Sequence, residues 1–197
     1  MEHAHASRRI SKWFFLKEFL NKPRRIGSAV PSSKKLARHM IAVLGANEHD
    51  HVVELGPGTG VFTREILNSG VRPENLILVE FNPQFAQFLM QSFPQVHVVT
   101  GDASTLPDIL KSLKIGKVKR IVSGIPFRSL PLHARIGITD AIAHSLEVGG
   151  VAVQFTYAGV PPFPKDIAAR GGLVGAPVGR VLANFPPAII WRYVKSN

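Results

Sequence analysis

The chain of 197 residues contains no cysteine. That excludes a disulfide framework, thiolate metal sites, iron–sulfur ligation and a cysteine nucleophile. Acidic residues are scarce, 13 Asp+Glu against 24 Lys+Arg, for a formal charge of +11. No apolar run reaches the ~20 residues that cross a bilayer. Near the N-terminus Lys17 and Glu18 interrupt the apolar stretch, which makes it a poor secretory signal. A hydrophobic share of 45% excludes a mostly disordered basic tail. These absences predict a basic, cytoplasmic, single-domain chain whose partner surface is both anionic and apolar.

What is present is unevenly placed. Residues 1–40 carry ten basic side chains, Arg8, Arg9, Lys12, Lys17, Lys22, Arg24, Arg25, Lys34, Lys35 and Arg38, against Glu2 and Glu18. The other 157 residues hold 14 basic and 11 acidic side chains. The basic segment also holds large apolar groups. At about 100° per residue Ile10, Trp13, Phe14, Leu16 and Leu20 share one broad face of a helix. Lys12, Phe15 and Phe19 fall outside that face, and Pro23 stops the helix near Asn21 or Lys22. Residues 1–25 are thus expected to form an amphipathic membrane-binding helix, with aromatic bodies at headgroup level and cations against anionic lipid. Packing on the domain and nucleic-acid binding are the other uses of such a helix.

From Lys34 the chain alternates. Helices are expected at Lys34–Leu44, Gly60–Asn68, Pro83–Ser92 and Leu132–Leu146. Strands are expected at His51–Leu55, Leu76–Glu80, Val96–Thr100, Arg120–Ser123 and Val151–Tyr157. Val178–Phe185 and Ile189–Val194 form a final strand pair, and Pro161–Gly175 reads as a surface loop. Alternation of this kind implies an α/β fold, Rossmann-like, with a mainly parallel sheet and an antiparallel last strand.

The most informative stretch is Val52-Val53-Glu54-Leu55-Gly56-Pro57-Gly58-Thr59-Gly60. A buried strand enters a turn with glycine at every second position and leaves as a helix. Such glycines let the backbone approach a ligand closely. Glu80 ends the next strand and can accept from both ribose hydroxyls. Asp102, after the third strand, can accept from an adenine amine. Glu54 would repel a pyrophosphate but could bind an amino group. The ligand that fits has a ribose, an adenine, a cationic end and no phosphate.

This set, Glu54 to Gly60 with Glu80 and Gly101-Asp102-Ala103, resembles the class I S-adenosylmethionine-dependent methyltransferases over about residues 27–157. The resemblance implies a seven-stranded sheet and S-adenosylmethionine as cofactor. It also implies cofactor contacts from Gly27, Ser28, Glu54, Gly56, Gly58, Gly60, Glu80, Phe81, Asp102, Ala103, Ser123 and Gly124. Residues 26–197 would form the methyltransferase domain.

The stretch Phe19-Leu20, Pro23-Arg24-Arg25-Ile26-Gly27-Ser28-Ala29-Val30-Pro31-Ser32-Ser33 is similar to the small bacterial phospholipid N-methyltransferases. The rRNA adenine dimethyltransferases are similar too, but show Asn-Leu-Pro-Tyr or Asn-Leu-Pro-Phe where this chain has Ser123-Gly124-Ile125-Pro126-Phe127. The missing Asn, which in those enzymes helps hold the adenine amine, favours the lipid relatives. So does the lack of a helical C-terminal region after the last strand.

The resemblance implies stepwise methylation of phosphatidylethanolamine towards phosphatidylcholine at the inner face of the cell membrane. Nothing in the sequence suggests an obligate oligomer or an obligate nucleic-acid partner, so a monomer is expected, and the eight scattered histidines offer no metal cluster. Tyr157 is the first candidate to orient or deprotonate the amine, and His133 the second. Phe127, with Tyr157, Phe163 and Trp13, could wall a quaternary ammonium through cation–π attraction. Arg128 and Arg135 could pair with a lipid phosphate. Lys111, Lys114, Lys117, Lys119 and Arg120 read as surface charge. An RNA adenine methyltransferase and a non-catalytic membrane adaptor are the competing readings.

Overall fold

The computed structural model describes residues 34–182 and 187–196. The expected N-terminal helix with Trp13, and the expected cofactor contacts Gly27 and Ser28, lie outside the described residues. So does the expected end of the sixth strand at Phe185.

The described residues open with α1 (Lys34–Leu44), whose Leu36, Ala37, Met40, Ile41 and Leu44 are buried at helical spacing. It continues through β1 (Val52–Leu55), α2 (Val61–Asn68), β2 (Leu76–Glu80), α3 (Pro83–Ser92), β3 (His97–Thr100), α4 (Leu106–Ser112) and β4 (Val118–Ser123). Then come α5 (Leu132–Ser145), β5 (Leu146–Thr156), α6 (Lys165–Arg170), β6 (Leu173–Val181) and β7 (Ala188–Lys195).

The seven strands form one sheet in the order β3-β2-β1-β4-β5-β7-β6. The pairs β1–β2, β1–β4, β2–β3 and β4–β5 are parallel. β7 runs antiparallel to both β5 and β6. Every residue of β1 and β2 is buried, as expected of parallel strands covered on both faces. One face carries the core of Val53, Leu55, Ile77, Ile121, Ile138, Ile142 and Tyr193 under α4, α5 and α6. The other carries Leu36, Met40, Val52, Phe62, Ile66, Leu78, Leu89 and Val153 under α1, α2 and α3.

Three expectations are corrected. Pro161–Gly175 is not one loop: it contains α6 and the start of β6, so β6 spans Leu173–Val181 rather than beginning at Val178. Its Pro and Gly content hid a strand because β6 is an edge strand, where Pro177 needs to donate no inner-ladder hydrogen bond. α4, a helix expected only as part of the helix and loop that carry the Lys111–Arg120 charges, begins at Leu106 and includes Pro107, which a first turn tolerates. Gly149-Gly150 does not precede the fifth strand but bends it. β5 starts at Leu146, and its pairing with β4 shifts between Val118 and Arg120, with Gly149 at φ 80°.

Candidate active site

The strand order reverses at β1, between β2 and β4, and ligands of open α/β sheets bind outside the strand C-termini at such a point. Three loops meet there, each continuing the ladder by one bond. Gly56 N donates to Val79 O at 3.0 Å, Gly101 N to Glu80 O at 2.9 Å, and Gly124 N to Leu55 O at 2.8 Å. Gly56, Gly58 and Gly60 have φ of 68°, 55° and 76°, in the left-handed region that favours glycine. At Gly124 the constraint is spatial: a Cβ there would lie 2.8 Å from the Gly56 carbonyl oxygen. The loops after β1 and β4 touch backbone to backbone.

Glu54 is fully buried in the middle of the site. Thr63 Oγ1, from the first turns of α2, donates to Glu54 Oε2 at 2.7 Å. Oε1 is buried without a hydrogen-bond partner among the described residues. Burial pushes the Glu54 pKa up to about 8; the Thr63 bond offsets part of that, and the nearby Glu80 adds to it. Glu80 ends β2 and is also buried, and burial raises its pKa. Its Oε2 accepts from Gly58 N at 3.0 Å and its Oε1 from Asn82 N at 2.9 Å. Asp102 begins the turn after β3, and its Oδ1 accepts from Ser104 N at 2.9 Å and Ser104 Oγ at 2.8 Å. Ala103 beside it is buried, and Phe81 is half-buried after Glu80.

The structure therefore brings Glu54, Gly56, Gly58, Gly60, Glu80, Phe81, Asp102, Ala103, Ser123 and Gly124 to one end of the sheet. The donor set fits S-adenosylmethionine. An unpartnered buried carboxylate oxygen suits an ammonium, and the buried carboxylates Glu54 and Glu80 beside the glycine turn would repel a phosphate.

The acceptor side is mixed. Tyr157 follows β5, half-buried and edge-on to Phe155 with ring centroids 5.4 Å apart. His133 is exposed in the first turn of α5, after β4. Both sit at the same end of the sheet as the cofactor loops. Phe127 does not offer a ring to a substrate. It is 1% exposed, lies 4.9 Å from Phe163, and belongs to the core under α5. Phe163 is buried as well, stacked 4.3 Å from Tyr193. The aromatic wall expected from these two is a packed aromatic ladder, because the short turn after Pro126 rolls Phe127 inward. Arg128 is exposed, and Arg135 is half-buried with Nε lacking a partner among the described residues. Lys111, Lys114, Lys117 and Lys119 are exposed at the end of α4 and the start of β4, the end of the sheet opposite the site. Arg120 instead approaches Asp50, Nε to Oδ2 at 3.5 Å, and donates to Gly45 O.

Four supporting residues had no role in the sequence reading. Thr63 holds Glu54. Arg64 donates to Thr59 O and Gly60 O, tying down the glycine turn. Gln154 donates to Ile125 O. Asn82 caps α3, its Oδ1 accepting from Gln84 N and Phe85 N, and the Asn82-Pro83 pair was a legible helix start. The other three act across turns or strands, and no spacing marks them.

Similarity to known proteins agrees with this geometry. The model of the family described as "Ribosomal RNA adenine dimethylase" matches residues 18–134. The ribosomal RNA small subunit methyltransferase A of Chlorobium chlorochromatii is 31% identical over 104 residues, 53% of this chain. This chain spans only 38% of that relative's length. The ornithine lipid N-methyltransferase of Singulisphaera acidiphila is 32% identical over 148 residues, covering 73% of this chain and 77% of the relative. Among solved structures, the magnesium protoporphyrin IX methyltransferase of Synechocystis with bound S-adenosylmethionine superposes with a TM-score of 0.69 at 15% identity, over 95% of this chain and 96% of that one. Fold, glycine turn, carboxylate set and family match converge: the chain is a class I methyltransferase-fold protein with S-adenosylmethionine as cofactor, and it belongs to the ribosomal RNA adenine dimethylase family.

Proposed function

We propose that the protein is a membrane-surface N-methyltransferase acting on the amine of a lipid headgroup, with phosphatidylethanolamine and its mono- and dimethylated forms as acceptors. The observation that carries this reading is Ser123. It stands where the similar rRNA enzymes have Asn, and its hydroxyl is turned back on its own loop, accepting from Ile125 N at 3.2 Å. An exocyclic adenine amine is weakly nucleophilic and needs acceptors on its N–H groups. An aliphatic amine is a strong nucleophile once its proton is gone. The match to the lipid relative spans 77% of that protein, against 38% for the rRNA relative, and supports the same choice.

S-adenosylmethionine supplies an electrophilic methyl on a sulfonium. The amine nitrogen forms the new N–C bond as the C–S bond breaks, and the electron pair stays on sulfur. Glu54 would hold the cofactor's ammonium, Glu80 its ribose and Asp102 its adenine. The Ser123–Phe127 loop would line the acceptor side of the bound cofactor. Tyr157 or His133 takes up the proton that each amine must lose before attack. Alignment is the main contribution, a term of up to ~7–11 kcal/mol in ideal intramolecular systems. The basic segment 1–25 is assigned to anionic lipid at the inner face of the cell membrane, with the chain acting as a monomer.

RNA is the second reading, favoured by the family match and by the charge of +11. The test is methyl transfer from labelled S-adenosylmethionine into vesicles of phosphatidylethanolamine plus anionic lipid, with ornithine-lipid vesicles and structured RNA in parallel. Label in phosphatidylethanolamine supports the proposal. Label in ornithine lipid alone moves the substrate within the lipid class. Label in RNA alone, with affinity falling steeply with salt, overturns it.

A further inference from the structure

Gln154 stands directly across the parallel β4–β5 pair from Ser123. It is fully buried. Its Nε2 donates to Ile125 O and to Phe155 O, both at 2.9 Å. Two carbonyls on one side fix the amide's orientation, because the reversed amide would set oxygen against oxygen. Oε1 is then buried with no hydrogen-bond partner among the described residues.

A buried acceptor left unpaired is destabilising, and a leucine or methionine would fill similar volume without that cost. Packing therefore does not account for the side chain, but the loop it grips does. The loop is tied to β1 through Gly124 N, to itself through Ser123 Oγ, and to β5 through Gln154. The Ser123 hydroxyl is committed within the loop and offers no carboxamide to anything above it.

We propose that Gln154 is the positioning residue of methyl transfer. Its carboxamide, brought in from β5 opposite Ser123, sets the height of the Ser123–Phe127 loop against the methyl and so the alignment of the attacking amine. This inference rests on the loop being the acceptor side of the site, as in the function proposed above.

The test uses full-length Gln154→Leu and Gln154→Glu. Loss of the grip lowers kcat on the order of 10²-fold, the scale of an ångström-level misplacement, and lowers cofactor affinity by much less. Amide hydrogen exchange at Ile125 and Phe127 speeds up, while exchange in β1 does not. A glutamate at 154 can donate to Ile125 O only when protonated, so the ratio of Gln154→Glu to wild-type activity should rise as pH falls. With activity taken per folded molecule, a merely structural lesion gives no such rise. Wild-type kcat and loop exchange in Gln154→Leu would overturn the proposal. Should that variant fail to fold, a flat pH ratio in Gln154→Glu would overturn it instead. If the wild type methylates neither lipid nor RNA, the substrate reading fails, and the exchange comparison still decides the role of Gln154.

Discussion

Thr63 and Glu54 form a buried pair in which Thr63 Oγ1 donates its hydrogen bond to one carboxylate oxygen at 2.7 Å and leaves the other facing no donor among the described residues. The half-satisfied carboxylate is a receptor for a cation, and its burial favours the protonated form when no cation is bound.

The first prediction concerns pH. The folded pKa of Glu54 is about 8 against an ordinary 4.5, so between those values the folded protein holds a proton that the unfolded chain has lost. Stability without cofactor should therefore fall as pH rises from about 4.5 through 8. Glu80, shifted the same way, adds to the slope. Urea midpoints at pH 6 and pH 8.5 measure this, and Glu54→Gln should flatten the dependence while abolishing tight cofactor binding. A midpoint that rises with pH would refute the assignment.

Thr63→Val keeps the shape of the side chain and removes its donor. The variant should lose about 1–3 kcal/mol of stability, and its cofactor affinity should drop by about tenfold. Calorimetric titration with S-adenosylmethionine reports both this loss and the proton released on binding.

Two glycine substitutions should behave differently. Gly124→Ala places a Cβ 2.8 Å from the Gly56 carbonyl oxygen, forcing backbone apart, so cofactor binding should be lost with the sheet intact by circular dichroism. Gly58→Ala meets nothing within 4 Å and faces only the strain of φ +55°, about 1–2 kcal/mol. Equal effects would mean that the loop contact is not what forms the site.

Phe127→Ala should act on stability rather than on recognition, costing about 3–5 kcal/mol as a core truncation. Thermal unfolding checks the loss, and an unchanged melting temperature with a raised KM for the acceptor would restore Phe127 to the substrate wall.

Replacing Lys111, Lys114, Lys117 and Lys119 together by glutamine should leave cofactor affinity unaltered, since these side chains lie at the far end of the sheet. Titration of the variant is the check.

The alternating α/β order, the buried parallel strands and the positions of Glu54, Glu80 and Asp102 were legible from local pattern alone. Each is a local consequence: apolar strands of four or five residues, glycines at turns, and an acid at a strand end. The helical periodicity of Lys34–Leu44 was legible to the residue. Only the tertiary structure decided matters that depend on distant partners. Phe127 left the expected acceptor wall for the core because Phe163, beyond the whole of α5 and β5, returns to pack beside it. The edge strand from Leu173 was masked by its Pro and Gly, which an outer strand tolerates and an inner one does not. Glu54 acquired its shifted pKa from burial, which outweighs the Thr63 bond, and Gln154 its grip on Ile125 from the register of β4 with β5. Local pattern sets which backbone forms, but the environment of a side chain is set by elements that the fold alone makes neighbours.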